Sequence, residues 1–308
     1  MVNPPHGRIV TANQRIIGDE YPHYLSDWYA PPHRATRIHE MLDERQIHDP
    51  AGALAMQMDL LSPVARTLVP MMLEAEPAGP EDVAILQRLA QWDYRFELDS
   101  TGPLIFLTWG ELLNRAILDD ELGTTGVRFR IGFDMLERAL NGDHPEWCNN
   151  INTSDRVETC PELLTETLTE AREMLEATHG PDPSEWTWDR QLHLEPHLGF
   201  AGLPLLDRLF SRRLARPGGL ETAFTSYPLT TGAPDFGNSW FSSSLQMIFD
   251  LSDLDASLFM MSGGQSGHFR SPHYHDLTPA WIRGERFTIP MDREQIDVAA
   301  ELRLTPSP

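Results

Sequence analysis

With 308 residues, 41% of them hydrophobic and 23% charged, the chain is long enough to bury a sizeable core of ordinary globular composition. Its 24 basic and 46 acidic side chains leave a net charge of −22, which argues against nucleic acid or an anionic membrane surface as a partner, since both demand neutralising Lys and Arg. No apolar run approaches the roughly 20 residues of a membrane helix, and the opening Met1-Val2-Asn3-Pro4-Pro5-His6 has neither the basic head nor the apolar stretch of a signal peptide.

In chain order, Arg8 to Ala12 reads as a short strand and Tyr21 to Pro32 as an aromatic, Pro-bounded loop. Arg34 to Arg45 carries Ile38, Met41 and Leu42 at helical spacing, with prolines at its entrance as a start signal. A second helix opens at Pro50 bearing Leu54, Met58 and Leu61, breaks or kinks at Pro63, and continues through Met72. Glu81 to Trp92 is amphipathic through Val83, Leu86, Leu89 and Ala90. Pro103 to Leu118 is apolar enough for a buried helix, and a shorter helix covers Phe133 to Leu140. Pro161 to His179 reads most clearly, with Leu163, Leu164, Leu168, Ala171 and Leu175 at helical spacing and Gly180-Pro181 as a stop.

Beyond Gly180 the character changes. Trp186 to Leu214 mixes Trp, His and Leu with short polar breaks, and Arg216 to Ser244 is a loop rich in Gly, Pro, Ser and Thr. Leu245 to Asp250 and Ser257 to Met261 alternate like paired strands, Ser271 to Trp281 reads as a short helix, and Arg286 to Met291 returns to strand. The chain therefore reads as one α+β region over residues 1–308, helix-rich over 34–180 and loop- and strand-rich over 181–308, without a clean linker. Cys148 and Cys160 are the only cysteines, twelve positions apart, and either one disulfide or two free thiols fits that spacing. His193 and His197 stand four apart, and His273 and His275 would share a strand face with His268 and Asp276 near, spacings that a zinc site uses. Pro196 breaks the first pair's helix and no third ligand completes either set, so buried or capping histidines are the plainer reading.

The opening run Gly7-Arg8-Ile9-Val10-Thr11-Ala12-Asn13-Gln14-Arg15, followed by Tyr21-Pro22, Trp28, Pro31-Pro32 and Arg34-Ala35-Thr36-Arg37-Ile38, resembles the penicillin acylase family of N-terminal nucleophile (Ntn) hydrolases, in the C-terminal part of its β-subunit. Further blocks follow in the right order. They are Gln57-Met58-Asp59 with Leu68-Val69-Pro70, and Gln87-Arg88-Leu89-Ala90-Gln91-Trp92-Asp93. Glu185-Trp186-Thr187-Trp188 with His193 and His197-Leu198-Gly199 comes next. Gly264-Gln265-Ser266-Gly267 with Ser271-Pro272-His273-Tyr274, Asp276, Trp281 and Gly284 closes the set. Three positions depart from the pattern: Gln14 stands for the usual second Asn, Asp189 for a Gly after the second Trp, and Gln246 for an Arg before the late strand.

The resemblance implies an αββα sandwich to which these residues give some strands and a large helical region. It implies an enzyme that cleaves an acyl amide: a β-lactam side chain, an acyl-homoserine lactone or an acylated peptide. Asn13 matches the family's oxyanion-hole Asn, and Arg34 the Arg that positions that Asn and the catalytic amine. An Asn amide is a suitable donor to a developing oxyanion because it is neutral and can be held rigid. A guanidinium suits the second role because its planar fork holds several acceptors and stays charged. The family nucleophile is a serine exposed at a Gly-Ser junction, whose own α-amine serves as base, and no Gly-Ser dipeptide occurs in the chain. Gly123-Thr124 and Gly237-Asn238-Ser239-Trp240 are its nearest echoes, both downstream of Asn13. The serine is therefore expected in a segment upstream or in another chain, and these 308 residues alone are expected to be inactive. The implied partners are that missing N-terminal segment or α-subunit and a small acyl-amide substrate, in a periplasmic or extracellular setting. No cofactor is expected. Some members bind structural calcium through an Asp shortly after the Tyr-Pro, but Asp27 stands at a different spacing and no metal ligand is assigned. The alternative is a non-catalytic remnant of the same fold that binds other protein.

Overall fold

A computed structural model describes residues 3–122, 133–191, 193–194, 206, 210, 213–226, 243–298 and 300–305. The described residues are α+β. The helices are α1 (His33–Asp43), α2 (Pro50–Gln57), α3 (Pro63–Met72), α4 (Pro80–Gln91), α5 (Gly102–Leu122), α6 (Asp134–Leu140), α7 (Cys160–His179) and α8 (Thr278–Ile282). Prolines stand in the first turn of α3, α4 and α7, where a missing N–H removes no helical hydrogen bond. Two compact units partition the chain: Met1–Gln46 with Met58–Ser242, and Ile47–Gln57 with Ser243–Pro308.

The first unit is built on α5. Leu104, Ile105, Phe106, Trp109 and Leu113 are fully buried, and Leu164, Leu168, Ala171 and Leu175 present the apolar stripe of α7 to the same core. The Trp109 indole donates to Thr167 Oγ1 at 3.0 Å, so the one polar atom of that ring is satisfied inside. Gly102 lets α5 begin against Trp92, since a Cβ there would stand 2.2 Å from the ring. Asp82 is buried at the start of α4, held by Arg172 Nε at 2.8 Å and Thr169 Oγ1 at 2.9 Å. Outside the helical core, β1 (His193–Leu194) pairs antiparallel with β2 (Leu214–Ala215).

The two cysteines are bonded to each other, with their Cα atoms 5.0 Å apart. The bridge ties the one-turn helix Pro145–Cys148 to the start of α7 and closes a loop around Glu158. That carboxylate accepts from Arg156 Nε at 2.8 Å, Thr153 Oγ1 at 2.9 Å and the Asn150 N–H at 3.1 Å. The Arg156 guanidinium foremost, then Thr153 and backbone N–H groups, hold its pKa at about 2 against the opposing effect of burial.

In the second unit β3 (Leu245–Ile248), β4 (Leu258–Met261) and β5 (Phe287–Thr288) form an antiparallel sheet in that order, with Leu245 opposite Met261 and Leu258 opposite Thr288. Gln57 at the end of α2 donates to the Met247 carbonyl at 3.1 Å, and Arg286 donates to Gln246 Oε1 at 2.6 Å. Gly264 closes the following loop: a Cβ there would lie 2.2 Å from the His273 carbonyl oxygen.

Four sequence readings need correction. Residues 8–12 form no strand, because the side chain of Gln14 takes up the backbone groups of Ala12 and Val10 that a ladder would have used. The break expected at Pro63 falls where α3 begins, but α2 already ends at Gln57, so Met58 and Leu61 are not helical: Met58 stands in a turn, and backbone bonds join Ser62 to Tyr94 at 2.9 Å and Leu60 to Phe96 at 3.0 Å. The stretch 271–281 is helical only from Thr278, because turn bonds from Tyr274 to Ser271 and from Thr278 to His275 occupy the earlier part. His273 and His275 therefore lie in turns and not on a strand face. The strand expected over 286–291 narrows to Phe287–Thr288. His197-Leu198-Gly199, Gly123-Thr124 and Gly237-Asn238-Ser239-Trp240 lie outside the described residues.

Candidate functional site

Asn13 and Arg34 converge. The chain around Asn13 folds into a hook because Gln14 clamps its own backbone: its Oε1 accepts from the Ala12 N–H at 2.6 Å and its Nε2 donates to the Val10 carbonyl at 3.1 Å. Asn13, at the bend, has a φ of 69°, in the left-handed region that Asn tolerates better than most residues. Its carbonyl accepts the Ala30 N–H at 2.8 Å, which fastens the hook to the loop leading into α1. Arg34, the second residue of α1, reaches back, and its Nη2 donates to Ala12 O at 2.9 Å and to Asn13 Oδ1 at 3.0 Å. Gln14, a departure from the family pattern, is thus the residue that shapes the bend.

A guanidinium can only donate, so its bond to Asn13 Oδ1 fixes which way that amide faces. The NH2 end keeps no bond among the described residues. A pocket of about 530 Å³ is lined by Asn13 and Arg34 together with Ala12, Ile16, Tyr29 and Ile38.

Behind Arg34 stands a carboxylate that sequence reasoning missed. Glu221 Oε2 lies 3.6 Å from Arg34 Nε, and both side chains are largely buried. Glu221 itself has a φ of 59°. Its loop, 218–226, is held by Thr222, whose hydroxyl accepts the Gly219 N–H at 3.1 Å and donates to the Phe224 carbonyl at 2.9 Å. Gly218 is required there, with a φ of 87° and room for no Cβ within 2.1 Å of the Phe224 carbonyl oxygen. The Phe224 N–H donates to the Asp59 carbonyl at 3.0 Å, and the Asp59 carboxylate is in turn held by Arg37 at 2.8 Å and Arg95 at 3.3 Å. Arg37 lies one helical turn from Arg34 on α1, so the helix that carries Arg34 and the loop that carries Glu221 share one anchor. The signal in the sequence was slight: a Gly218-Gly219 pair before an isolated acid.

His33, beside Arg34, faces Asp134 at 3.3 Å. Burial lowers its pKa, but the Asp134 hydrogen bond and the charges of Glu221, Asp134 and Glu137 outweigh that and raise it above the ordinary imidazole value. Asp27 is exposed. His273 and Asp276 form an exposed pair at 2.8 Å, and among the described residues no group of three or more His, Cys, Asp or Glu side chains could hold a metal ion.

The family model described as penicillin amidase matches residues 1–298. The acyl-homoserine lactone acylase QuiP of Pseudomonas putida is 30% identical, over 95% of this chain and 38% of its own length. The penicillin acylase 2 proenzyme of Pseudomonas sp. strain SE83 is 25% identical, over 91% of this chain and 36% of its own. The solved thermostable penicillin G acylase from Alcaligenes faecalis superposes with a TM-score of 0.60 at 18% identity, covering 99% of this chain and 58% of that one, so the two share a fold. The chain spans about two fifths of the length of the curated relatives it matches.

Proposed function

Because the chain belongs to the penicillin amidase family, we propose that it is the part of an acyl-amide hydrolase that supplies the oxyanion donor, Asn13, and the residue that orients it, Arg34. The observation that carries this reading is the pair of bonds from Arg34 Nη2 to Ala12 O and Asn13 Oδ1, which turn the Asn13 amide so that its NH2 is the free end at the pocket. The nucleophilic serine comes from outside these 308 residues, a reading supported by the longer relatives and by the lack of a Gly-Ser junction.

In the reaction, the serine hydroxyl gives its proton to that serine's own α-amine and attacks the amide carbonyl. Negative charge collects on the carbonyl oxygen and is met by the Asn13 NH2. The α-amine returns the proton to the departing amine, leaving an acyl-enzyme that water then hydrolyses. Since Arg34 is bonded before substrate arrives, the donor needs no reorganisation as charge develops, which is where such a site gains its effect.

The substrate class is an acyl amide, with acyl-homoserine lactones and β-lactam side chains favoured by the names of the relatives. The partner is the remainder of the same enzyme. Ile9, Ile16, Tyr24, Leu25 and Trp28 are exposed within one stretch of chain, which supports a covering segment there. The disulfide supports an oxidising compartment, the periplasm or the exterior.

The test is an assay of the purified full-length protein on N-acyl-homoserine lactones and on chromogenic acyl anilides. Release of the amine by the full-length protein, and none by the 308-residue chain alone, is the expected result. A full-length protein that cleaves no acyl amide would favour a non-catalytic scaffold instead.

A further inference from the structure

A buried carboxylate behind the site is shared by two arginines. Asp59 is 6% exposed, and its carboxylate accepts from Arg37 Nε at 2.8 Å, Arg37 Nη2 at 3.3 Å and Arg95 Nη1 at 3.3 Å. Burying such a group adds little stability over a well-packed apolar side chain, because desolvation offsets most of the attraction. What it fixes is geometry, since a guanidinium fork held at two oxygens restricts how the elements carrying the partners can sit.

Those elements are the two that carry Arg34 and Glu221. Arg37 stands on α1 one turn after Arg34. Residues 59–62 grip the loop 218–226 on both flanks of Glu221. There the Ser62 hydroxyl donates to the Leu220 carbonyl at 3.2 Å, and the Phe224 N–H donates to the Asp59 carbonyl at 3.0 Å. Asp59 therefore holds the loop by its backbone and the helix by its side chain. The 3.6 Å between Arg34 Nε and Glu221 Oε2 lies within this clasp, and Arg34 in turn holds Asn13 Oδ1. A second tie of α1, from Glu40 to Arg66 on α3, is more exposed and lies a turn further from Arg34.

We propose that Asp59 is a positioning residue for the reaction: by clasping α1 to the loop 218–226 it fixes Arg34 where its guanidinium turns the Asn13 amide. This rests on the acyl-amide hydrolase reading above and extends it to a residue outside the pocket. Its effect on the rate passes through Asn13.

Asp59→Asn is the informative variant. It keeps the backbone carbonyl that holds Phe224, and it strands no cation, since Arg37 keeps Glu40 at 3.2 Å and Arg95 keeps Glu97 at 3.3 Å. Kinetics of the full-length protein on an acyl anilide, well below the melting transition of every variant, compare wild type, Asp59→Asn, Asn13→Gly, the double variant and Arg66→Met. Asp59→Asn is expected to lose roughly ten- to a hundredfold in kcat, the upper figure being the loss from misplacing a catalytic group by about 1 Å. KM should stay within about twofold. In the Asn13→Gly background the same substitution should cost no more than about twofold, because the amide it positions is gone. Arg66→Met should keep kcat within about twofold, since the Asp59 clasp is untouched. A wild-type kcat in Asp59→Asn, a loss confined to KM, or the same fold-loss with and without Asn13 would overturn the proposal, as would an equal loss in Arg66→Met. If Asp59→Asn does not fold, Arg37→Lys, which keeps the charge and loses the fork, is judged by the same criteria. A wild type that turns over no anilide would overturn the hydrolase reading and this proposal with it. A wild type disabled by Asn13→Gly yet indifferent to Asp59→Asn would overturn the proposal alone.

Discussion

Replacing Asn13 by Gly is expected to lower kcat for acyl-amide hydrolysis by about a hundred- to a thousandfold, the usual loss on removing an oxyanion donor, with little change in KM. Gly is the informative choice because of the backbone. Asn13 sits at a φ of 69°, where Ala would be strained by about 1 kcal/mol and would disturb the hook as well as remove the amide, whereas Gly adopts that conformation freely. Asn13→Ala should lose as much activity and melt lower; Asn13→Gly should lose the activity alone. A loss confined to KM would mean that the amide binds the ground state and transition state alike. Steady-state kinetics of the full-length protein, with melting curves for both variants, separates these outcomes.

Arg34→Met is expected to destabilise the protein by about 3 kcal/mol and to abolish most of its activity. The guanidinium is 3.6 Å from the Glu221 carboxylate, and that carboxylate is buried. Removing one member of a buried ion pair typically costs about 3–5 kcal/mol, because the remaining charge stays out of water without its counter-charge. The lower figure fits a pair separated by more than hydrogen-bond distance. The double variant Arg34→Met/Glu221→Gln should recover most of that stability, since no charge is then left behind. It should recover none of the activity, since Asn13 Oδ1 has still lost its donor and the amide can turn over. Urea unfolding and kinetics on the three proteins check both halves. Activity returning with stability would make Arg34 a structural residue only.

What the sequence disclosed follows physical lines. The long helices were legible because apolar residues recur at helical spacing and prolines or a Gly mark their ends, as in Leu164, Leu168 and Leu175 of α7 before Gly180. Asn13 and Arg34 were legible only through their resemblance to a family run, since neither residue type at that spacing specifies a site by itself. Their meeting in space depends on a hook made by Gln14, a side chain bonding to its own neighbourhood, and such local competition with strand ladders leaves no periodic signal. The same competition misled the reading of residues 8–12. Glu221 was invisible because it reaches Arg34 through a loop fold set by Thr222 and Gly218, far along the chain. The pairing of Cys148 with Cys160 could not be read either, because spacing alone permits bonded or free thiols.

The central claim is that the Asn13 amide, turned by Arg34, points its NH2 at the charge that develops on the substrate carbonyl. A structure of the full-length protein carrying an acyl boronic acid, whose tetrahedral adduct with the serine mimics the intermediate, tests this most directly. One boronate oxygen should lie about 2.7–3.1 Å from Asn13 Nδ2, with Arg34 still bonded to Asn13 Oδ1. An adduct whose oxygens are held by other donors, with Asn13 facing away, would contradict it.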